Sequence, residues 1–315
     1  MSTVLITGGA GFIGSNLARH CLRQGHVVHV LARPGSTLNR LAGLHGPLHV
    51  HQLSLTDRSA VMHMMAQVAP SLVFHLAAQT RRPPLADLSD VSASIEQDLL
   101  GLLVLLSCAA NATPSPQVFI RTGSLAEYGP GTTPARESQR EQPLNAYAAA
   151  LTAGSHYLDM LRPRLPFPAI TARLALIYGP QQDGDFLVPQ LIRKCLMRQP
   201  AEVRHPSDRR DLLFVADVCE ALLCLAHDPP DHGLVNVSTG HAPSMRELAL
   251  LIAGATGADP GLLSFGEEKG TGGIPDFRAS PERLHGLTAW RPAVPVEEGL
   301  RLTVEWYRNE LGKGQ

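Results

Sequence analysis

Thr7-Gly8-Gly9-Ala10-Gly11-Phe12-Ile13-Gly14 follows an apolar run at residues 4–7 and opens onto an amphipathic segment at residues 15–23. The order strand, glycine-rich turn, helix gives three glycines separate tasks. Gly8 permits a tight turn, Gly11 lets a pyrophosphate approach the backbone, and Gly14 lets the helix pack closely on the strand. The first turn of the helix then offers free N–H groups and the positive end of the macrodipole to an anion. The stretch therefore reads as a dinucleotide-binding loop, with Gly8, Gly11, Phe12, Ile13 and Gly14 as its contact residues.

Outward from this loop, short β-rich runs at residues 27–31, 48–53, 72–76, 117–122 and 169–176 alternate with helix-sized segments. That alternation predicts βαβ units and an α/β fold, a doubly wound parallel (Rossmann) sheet covered on both faces. After Gly179-Pro180 the pattern loosens, a helix starts near Asp217, which reads as its N-cap, and a strand follows at 234–237. Residues beyond 240 are mostly helical (244–256 and 296–311), with glycine- and proline-rich connections such as 270–275. The expected division is a dinucleotide-binding domain at 1–178 plus about 212–240. A smaller, mostly helical substrate lobe takes about 179–211 plus 241–315. The second strand ends Leu31-Ala32-Arg33-Pro34-Gly35-Ser36 without the acidic residue that would hold a ribose 2′-hydroxyl. Arg33 and Ser36 suit a 2′-phosphate instead, so NADP is the first choice of cofactor and NAD the second.

The composition narrows the function classes. In 315 residues, 27 Lys+Arg face 28 Asp+Glu for a net charge of −1, and 44% of residues are apolar. The chain is neither disordered nor basic enough to neutralise a nucleic-acid backbone, and only Lys194, Lys269 and Lys313 are lysines. Five cysteines lack CxxC spacing, and 14 histidines show no HExxH pair, so no metal is expected. Met1-Ser2-Thr3 leads straight into a strand without a basic leader. The apolar run 99–110 falls short of the ~20 residues of a membrane span. The expectation is a cytoplasmic protein without a membrane partner.

Further segments fall in a set order: Asp57 after the third strand, His75-Leu-Ala-Ala-Gln79, Thr122-Gly-Ser124-Leu-Ala-Glu-Tyr128-Gly129, Asn145-Ala-Tyr147, Arg173 through Tyr178-Gly179-Pro180, and Arg209-Arg210-Asp211. Together with Asn236-Val-Ser-Thr-Gly240 and Trp290-Arg-Pro292, this series resembles the extended short-chain dehydrogenase/reductases that modify nucleotide-activated sugars. The resemblance spans nearly the whole chain. It implies that Tyr147 and Ser124 are catalytic, one exchanging a proton with the sugar oxygen and the other polarising the carbon–oxygen bond. It also implies cofactor contacts from Leu55, Leu76, Ala77, Ala78, Gln79 and Tyr147. Substrate contacts are implied from Ser124, Tyr147, Pro189, Arg81 and one of Arg209 and Arg210, with Arg210 the candidate on a diphosphate. Arg81 and Arg82 both lie where they could reach sugar or phosphate.

The family's Tyr-x-x-x-Lys reads Tyr147-Ala-Ala-Ala-Leu151 here. The lysine sits one turn after the tyrosine, on the same face, and lowers its pKa from about 10. Neither Arg162 nor His156 is placed to replace it locally. Oxidation needs an ionised tyrosine and suffers most, whereas ketone reduction needs a protonated one. Asp98 stands where Asn is common, and Leu125 and Ala126 stand where 4,6-dehydratases carry Asp-Glu. These features predict NADPH-dependent reduction of a keto-deoxy sugar nucleotide. The alternatives are an NAD(P)-dependent nucleotide-sugar epimerase or atypical dehydratase, and a catalytically impaired cofactor-binding protein. The apolar segment 99–110 implies burial in a core or against a second subunit, and the resemblance favours a homodimer.

Overall fold

The computed structural model describes residues 1–230, 233–266 and 274–313. Lys269 and the 270–273 part of the glycine-rich connection lie outside the described residues. The strands are β1 (Thr3–Thr7), β2 (Val27–Ala32), β3 (Leu48–Gln52), β4 (Leu72–His75), β5 (Val118–Ser124), β6 (Ala169–Leu174), β7 (Leu176–Tyr178), β8 (Ala201–Val203), β9 (Arg209–Arg210), β10 (Leu212–Phe214), β11 (Leu234–Val237), β12 (Leu263–Phe265) and β13 (Asp276–Phe277). The helices are α1 (Phe12–Arg23), α2 (Arg58–Val68), α3 (Ser89–Ser94), α4 (Gly101–Ala110), α5 (Ala146–Leu161), α6 (Leu187–Leu196), α7 (Val215–His227), α8 (Met245–Thr256), α9 (Glu282–Leu287) and α10 (Val296–Lys313).

Among the described residues, one seven-stranded sheet runs in the order β11-β6-β5-β4-β1-β2-β3, with every pairing parallel. The chain winds from β1 toward β3 on one side and from β4 toward β11 on the other. This reversal opens a crevice at the carboxyl ends of β1 and β4, where α/β sheets bind ligands. Both faces are covered, as parallel strands require. Leu17 of α1 and Val218 and Leu222 of α7 pack on one face, and Met64, Met65, Leu102 and Leu105 pack on the other. A third apolar cluster joins α6, α8, α10, β8 and β10 through Ile192, Leu248, Val304 and Leu212.

Three expectations change. The run 169–176 is not one strand: β6 ends at Leu174, and β7 pairs with β10 in a separate two-stranded sheet. Ala175 turns the chain between them, with its N–H still bonded to Val237 while Leu176 N–H goes to Asp211. The segment 99–110 is the end of a 22-residue helical run, Ser89–Ala110, long and apolar enough to cross a membrane by length and composition alone. Half of its most apolar window is buried in the fold, where α4 packs against α2 and α3 against α5. Finally, Asp217 does not cap α7, which begins two residues earlier. Its carboxylate accepts from the N–H groups of Ala293 and Val294 at 3.1 Å each, pinning a distant segment.

Candidate active site

The phosphate loop is built as its glycines demand. Gly8 has φ +68°, and a Cβ on Gly14 would lie 2.4 Å from the Gly8 carbonyl oxygen. Gly11 precedes α1 without a side-chain cap, which leaves the first amides of the helix, at Phe12, Ile13 and Gly14, to an anion. This arrangement fits a dinucleotide's pyrophosphate. Beside it, Thr7 Oγ1 accepts from Ala77 N–H at 3.3 Å, which holds the turn after β4 against the loop. Leu76, Ala77 and Gln79 are half-buried and Ala78 is exposed. Leu55 is buried in the core below, its Cβ 3.2 Å from where a side chain on Gly101 would begin. Arg33 is exposed and donates to Gln79 Oε1 at 3.4 Å, so two residues predicted to hold the cofactor meet at the crevice rim. Ser36 donates its N–H to the Arg33 carbonyl, closing the turn after β2.

β5 delivers Ser124 to the carboxyl edge of the sheet. There it begins a single 3₁₀ turn, Leu125–Glu127, whose capping box pairs Ser124 with Glu127. Tyr147 is the second residue of α5, and Asn145 caps that helix by accepting from Ala148 N–H at 2.8 Å. α5 packs on that turn, which brings Tyr147 close to Ser124. Burial holds the Tyr147 phenol well above its ordinary pKa, with Glu127 and Asp98 adding to the rise and Arg121 and Ser124 opposing it.

Beneath this pair lies a buried network that sequence reading missed. Arg121, on β5 and only 2% exposed, donates to the Leu151 carbonyl at 2.6 Å and to Ser155 Oγ at 3.0 Å. Ser155 donates to Glu127 Oε2 at 2.7 Å, and the other Glu127 oxygen accepts Ser124 N–H at 2.9 Å. Arg173 pairs with both Glu127 and Glu141 and lies over the Tyr128 ring. The signal in the sequence is an arginine directly after the apolar run Val118-Phe119-Ile120, still within the expected strand, where an unpaired charge would be costly.

The arginines after β4 part company. Arg81 reaches out to Asp185 at 2.7 Å and lies over the Phe186 ring, joining the cleft to the start of α6. Arg82 turns inward to Asp98 at 3.3 Å, both side chains buried, so it is occupied with the residue that stands in the usual Asn position. Pro189 is buried within α6, and the exposed residue at the start of that helix is Leu187. Arg210 donates to Asp208 at 2.7 Å and to the Ile274 carbonyl at 2.9 Å, while Arg209 reaches the Ala242 carbonyl. β9 carries both arginines and pairs with β13, which brings the 274–278 wall beside them. Ile274 and Phe277 line a small cavity with Leu125 and Tyr128 of the turn that follows Ser124. A larger cavity of about 320 Å³, lined by Cys195, Thr256 and Arg308, involves none of these groups.

Comparison with known proteins gives the family and agrees with the fold. Residues 4–238 match the model of the NAD dependent epimerase/dehydratase family. The chain belongs to that family. Like other members of this family, it is an enzyme of the extended short-chain dehydrogenase/reductase type, and its Rossmann sheet is the family's. It is 31% identical over 314 residues to the UDP-glucose 4-epimerase of Mycolicibacterium smegmatis, spanning 97% of this chain and 98% of that one. It is 27% identical over 331 residues to the human dTDP-D-glucose 4,6-dehydratase, spanning 98% and 90%. Among solved structures, the UDP-glucose 4-epimerase of Thermus thermophilus in complex with NAD superposes with a TM-score of 0.84 at 28% identity, covering 97% and 98%. The Thermotoga maritima UDP-glucose 4-epimerase with UDP-glucose gives 0.88 at 26%, covering 98% and 99%.

Proposed function

We propose that this family member is an NAD-dependent epimerase that inverts a secondary alcohol of a sugar carried on a nucleoside diphosphate, UDP- or dTDP-linked. The carrying observation is Ser124 at the carboxyl end of β5, the same edge of the sheet as the phosphate loop, with Tyr147 at the start of α5, which packs on the turn that follows, and with buried Leu125 and apolar Ala126 directly after Ser124. Elimination of water needs an acid and a base at those two places, and neither residue supplies one. The relatives found with NAD favour NAD over the NADP suggested by Arg33, whose guanidinium is engaged with Gln79.

NAD held at this site would supply the hydride acceptor and donor for the carbinol carbon. Tyr147, as the phenolate, would take the hydroxyl proton on oxidation and, as the phenol, return it to the sugar oxygen on reduction. Ser124 would donate to the sugar oxygen and polarise the bond on which Tyr147 acts. Gly8, Gly11 and the first amides of α1 would hold the pyrophosphate, and Arg81 and Arg210 would meet the substrate's phosphates by releasing Asp185 and Asp208. Reduction of a keto sugar is the second reading, favoured by the raised Tyr147 pKa, which keeps the proton needed for donation.

We further propose a cytoplasmic homodimer. Five free thiols suit a reducing compartment. Val91 and Ile95 of the long helical run and Tyr157 and Met160 of α5 leave an apolar stripe 40–54% exposed on two helices that pack together.

The deciding experiment incubates purified protein with UDP- and dTDP-hexoses and follows products by NMR and mass spectrometry. Epimer interconversion of unchanged mass without net NAD reduction supports the first reading. Loss of water points to a dehydratase, and stoichiometric NADPH consumption with a keto sugar points to the reductase. No turnover in any arm would favour a protein that binds cofactor without catalysis.

A further inference from the structure

Tyr147 lies in a neighbourhood that resists its ionisation. Burial opposes it most, and the carboxylates of Glu127, in the turn after β5 and paired with Arg173, and of Asp98, in the π-helical turn Ile95–Leu100 and paired with Arg82, add to that. Arg121 is the positive group acting on it, and it reaches the site in an unusual way. Its guanidinium passes under α5 and meets the helix from below, at the carbonyl of Leu151, the residue one turn on from Tyr147.

The helix is shaped to admit it. Gly154 sits where a Cβ would stand 3.0 Å from Arg121 Cζ and Nη2 and 2.9 Å from Leu102 Cδ2. Ser155, the next residue, accepts from Arg121 and passes a hydrogen bond to Glu127, which holds Ser124 N–H. One buried cation thus ties the helix that carries Tyr147 to the turn that carries Ser124. Leu151, Gly154 and Ser155 form its cradle, with Thr171 Oγ1 closing the far side at 3.4 Å.

We infer that Arg121 is the positioning residue of this site, supplying from beneath α5 the positive charge and the anchorage that allow the Tyr147 hydroxyl to release and regain its proton opposite Ser124. The inference rests on the proton-relay reading of Tyr147 but not on which sugar is turned over. The charge does for Tyr147 what a lysine at position 151 would do from the helix's own face. It arrives from a strand instead, through a glycine gap that no side chain fills.

The test reads Tyr147 directly. Protein labelled with difluorotyrosine, whose phenol ionises near neutral pH, is titrated by fluorine NMR, with the Tyr147 signal assigned by Tyr147→Phe. Arg121→Met is expected to raise the ionisation midpoint by about one pH unit or more, a tenfold rise in proton affinity per unit, while Arg121→Lys stays within about half a unit of wild type. Should Arg121→Met not fold, Arg121→Gln removes the charge and keeps donors for Leu151 and Ser155. The pH–rate profile moves by the same amount wherever turnover is found. A midpoint unchanged on loss of the charge overturns the inference. Absence of turnover leaves the NMR titration intact and counts only against the proposed activity.

Discussion

Thr7 Oγ1 and His75 Nδ1 lie 2.8 Å apart and tie the end of β1 to the end of β4 directly under the phosphate loop. Thr7 Oγ1 also accepts from Ala77 N–H, and whether it donates to or accepts from His75 Nδ1 follows the tautomer of the imidazole. Burial, reinforced by the nearby Arg121 cation, pulls the His75 pKa down to about 3. The unfolded chain takes up this proton near pH 6.5 and the folded one only near 3. The stability linked to His75 is therefore complete above pH 6.5 and is lost as pH falls toward 3, at about 1.4 kcal/mol per unit. Urea midpoints measured from pH 7 to 4 should fall along this slope. His75→Gln should be less stable at pH 7 and flatter with pH; parallel curves for the two proteins would contradict the assignment.

Tyr147→Phe removes the proton carrier but leaves the phosphate loop untouched. Turnover should fall by about 10²–10⁴, with NAD affinity changed only a few-fold. Ser124→Ala should cost somewhat less, since Tyr147 keeps its proton path and only the polarising hydroxyl is lost. Both are checked by kcat against fluorescence titration of the cofactor. Loss of binding in step with loss of rate would place these hydroxyls in recognition, outside the proton relay.

Local signals and distant contacts account for what the sequence disclosed. The phosphate loop was legible because its whole logic lies within eight residues between one strand and one helix. Ser124 and Tyr147 became legible through an ordered series of short motifs, each weak by itself. Asp217 was misread because its true partners, Ala293 and Val294, are more than seventy residues away and helix position suggested a cap. The role of Arg121 was invisible for a similar reason. A search for a substitute lysine along α5 finds none, whereas the cation comes from β5, thirty residues earlier, through side-chain packing that spacing does not encode. The break at Ala175 escaped notice because both flanking runs are equally apolar and only the partner strand changes.

Leu151→Lys would set a second cation four residues after Tyr147 on the same helical face. At ~4 Å and an effective dielectric near 20 the interaction is about 4 kcal/mol, a ceiling of roughly three pKa units. Leu151 is buried, so part of that is spent on desolvation, and a drop of about one unit is the working expectation. Oxidation at neutral pH should speed up more than reduction, since only oxidation requires ionised Tyr147. Rates in the two directions, measured against pH, would reject the electrostatic account if they rose or fell together.

Ile95→Glu tests the proposed dimer. The side chain is 53% exposed on the apolar stripe, so a charge there costs the free monomer little and costs a buried interface several-fold more. Sedimentation should show the wild type as a dimer and the variant as a monomer with an unchanged thermal transition shape. A monomeric wild type would remove the dimer from the proposal.

Gly154 and Gly254 make a matched pair of helix glycines with opposite surroundings. In a helix interior, Gly→Ala ordinarily gains up to about 1 kcal/mol from reduced backbone entropy in the unfolded chain. Gly254, in α8, has nothing within 4 Å of a built Cβ, so Gly254→Ala should show that gain. At Gly154 the same methyl would press on the Arg121 guanidinium and on Leu102, both buried and unable to swing into solvent. Overpacking of this kind costs about 1–3 kcal/mol, enough to cancel the propensity gain and reverse its sign. Gly154→Ala should therefore lower the urea midpoint while Gly254→Ala raises it. Equal gains would mean that the guanidinium yields without loss, and that the cradle around Arg121 is looser than its hydrogen bonds to Leu151 and Ser155 imply.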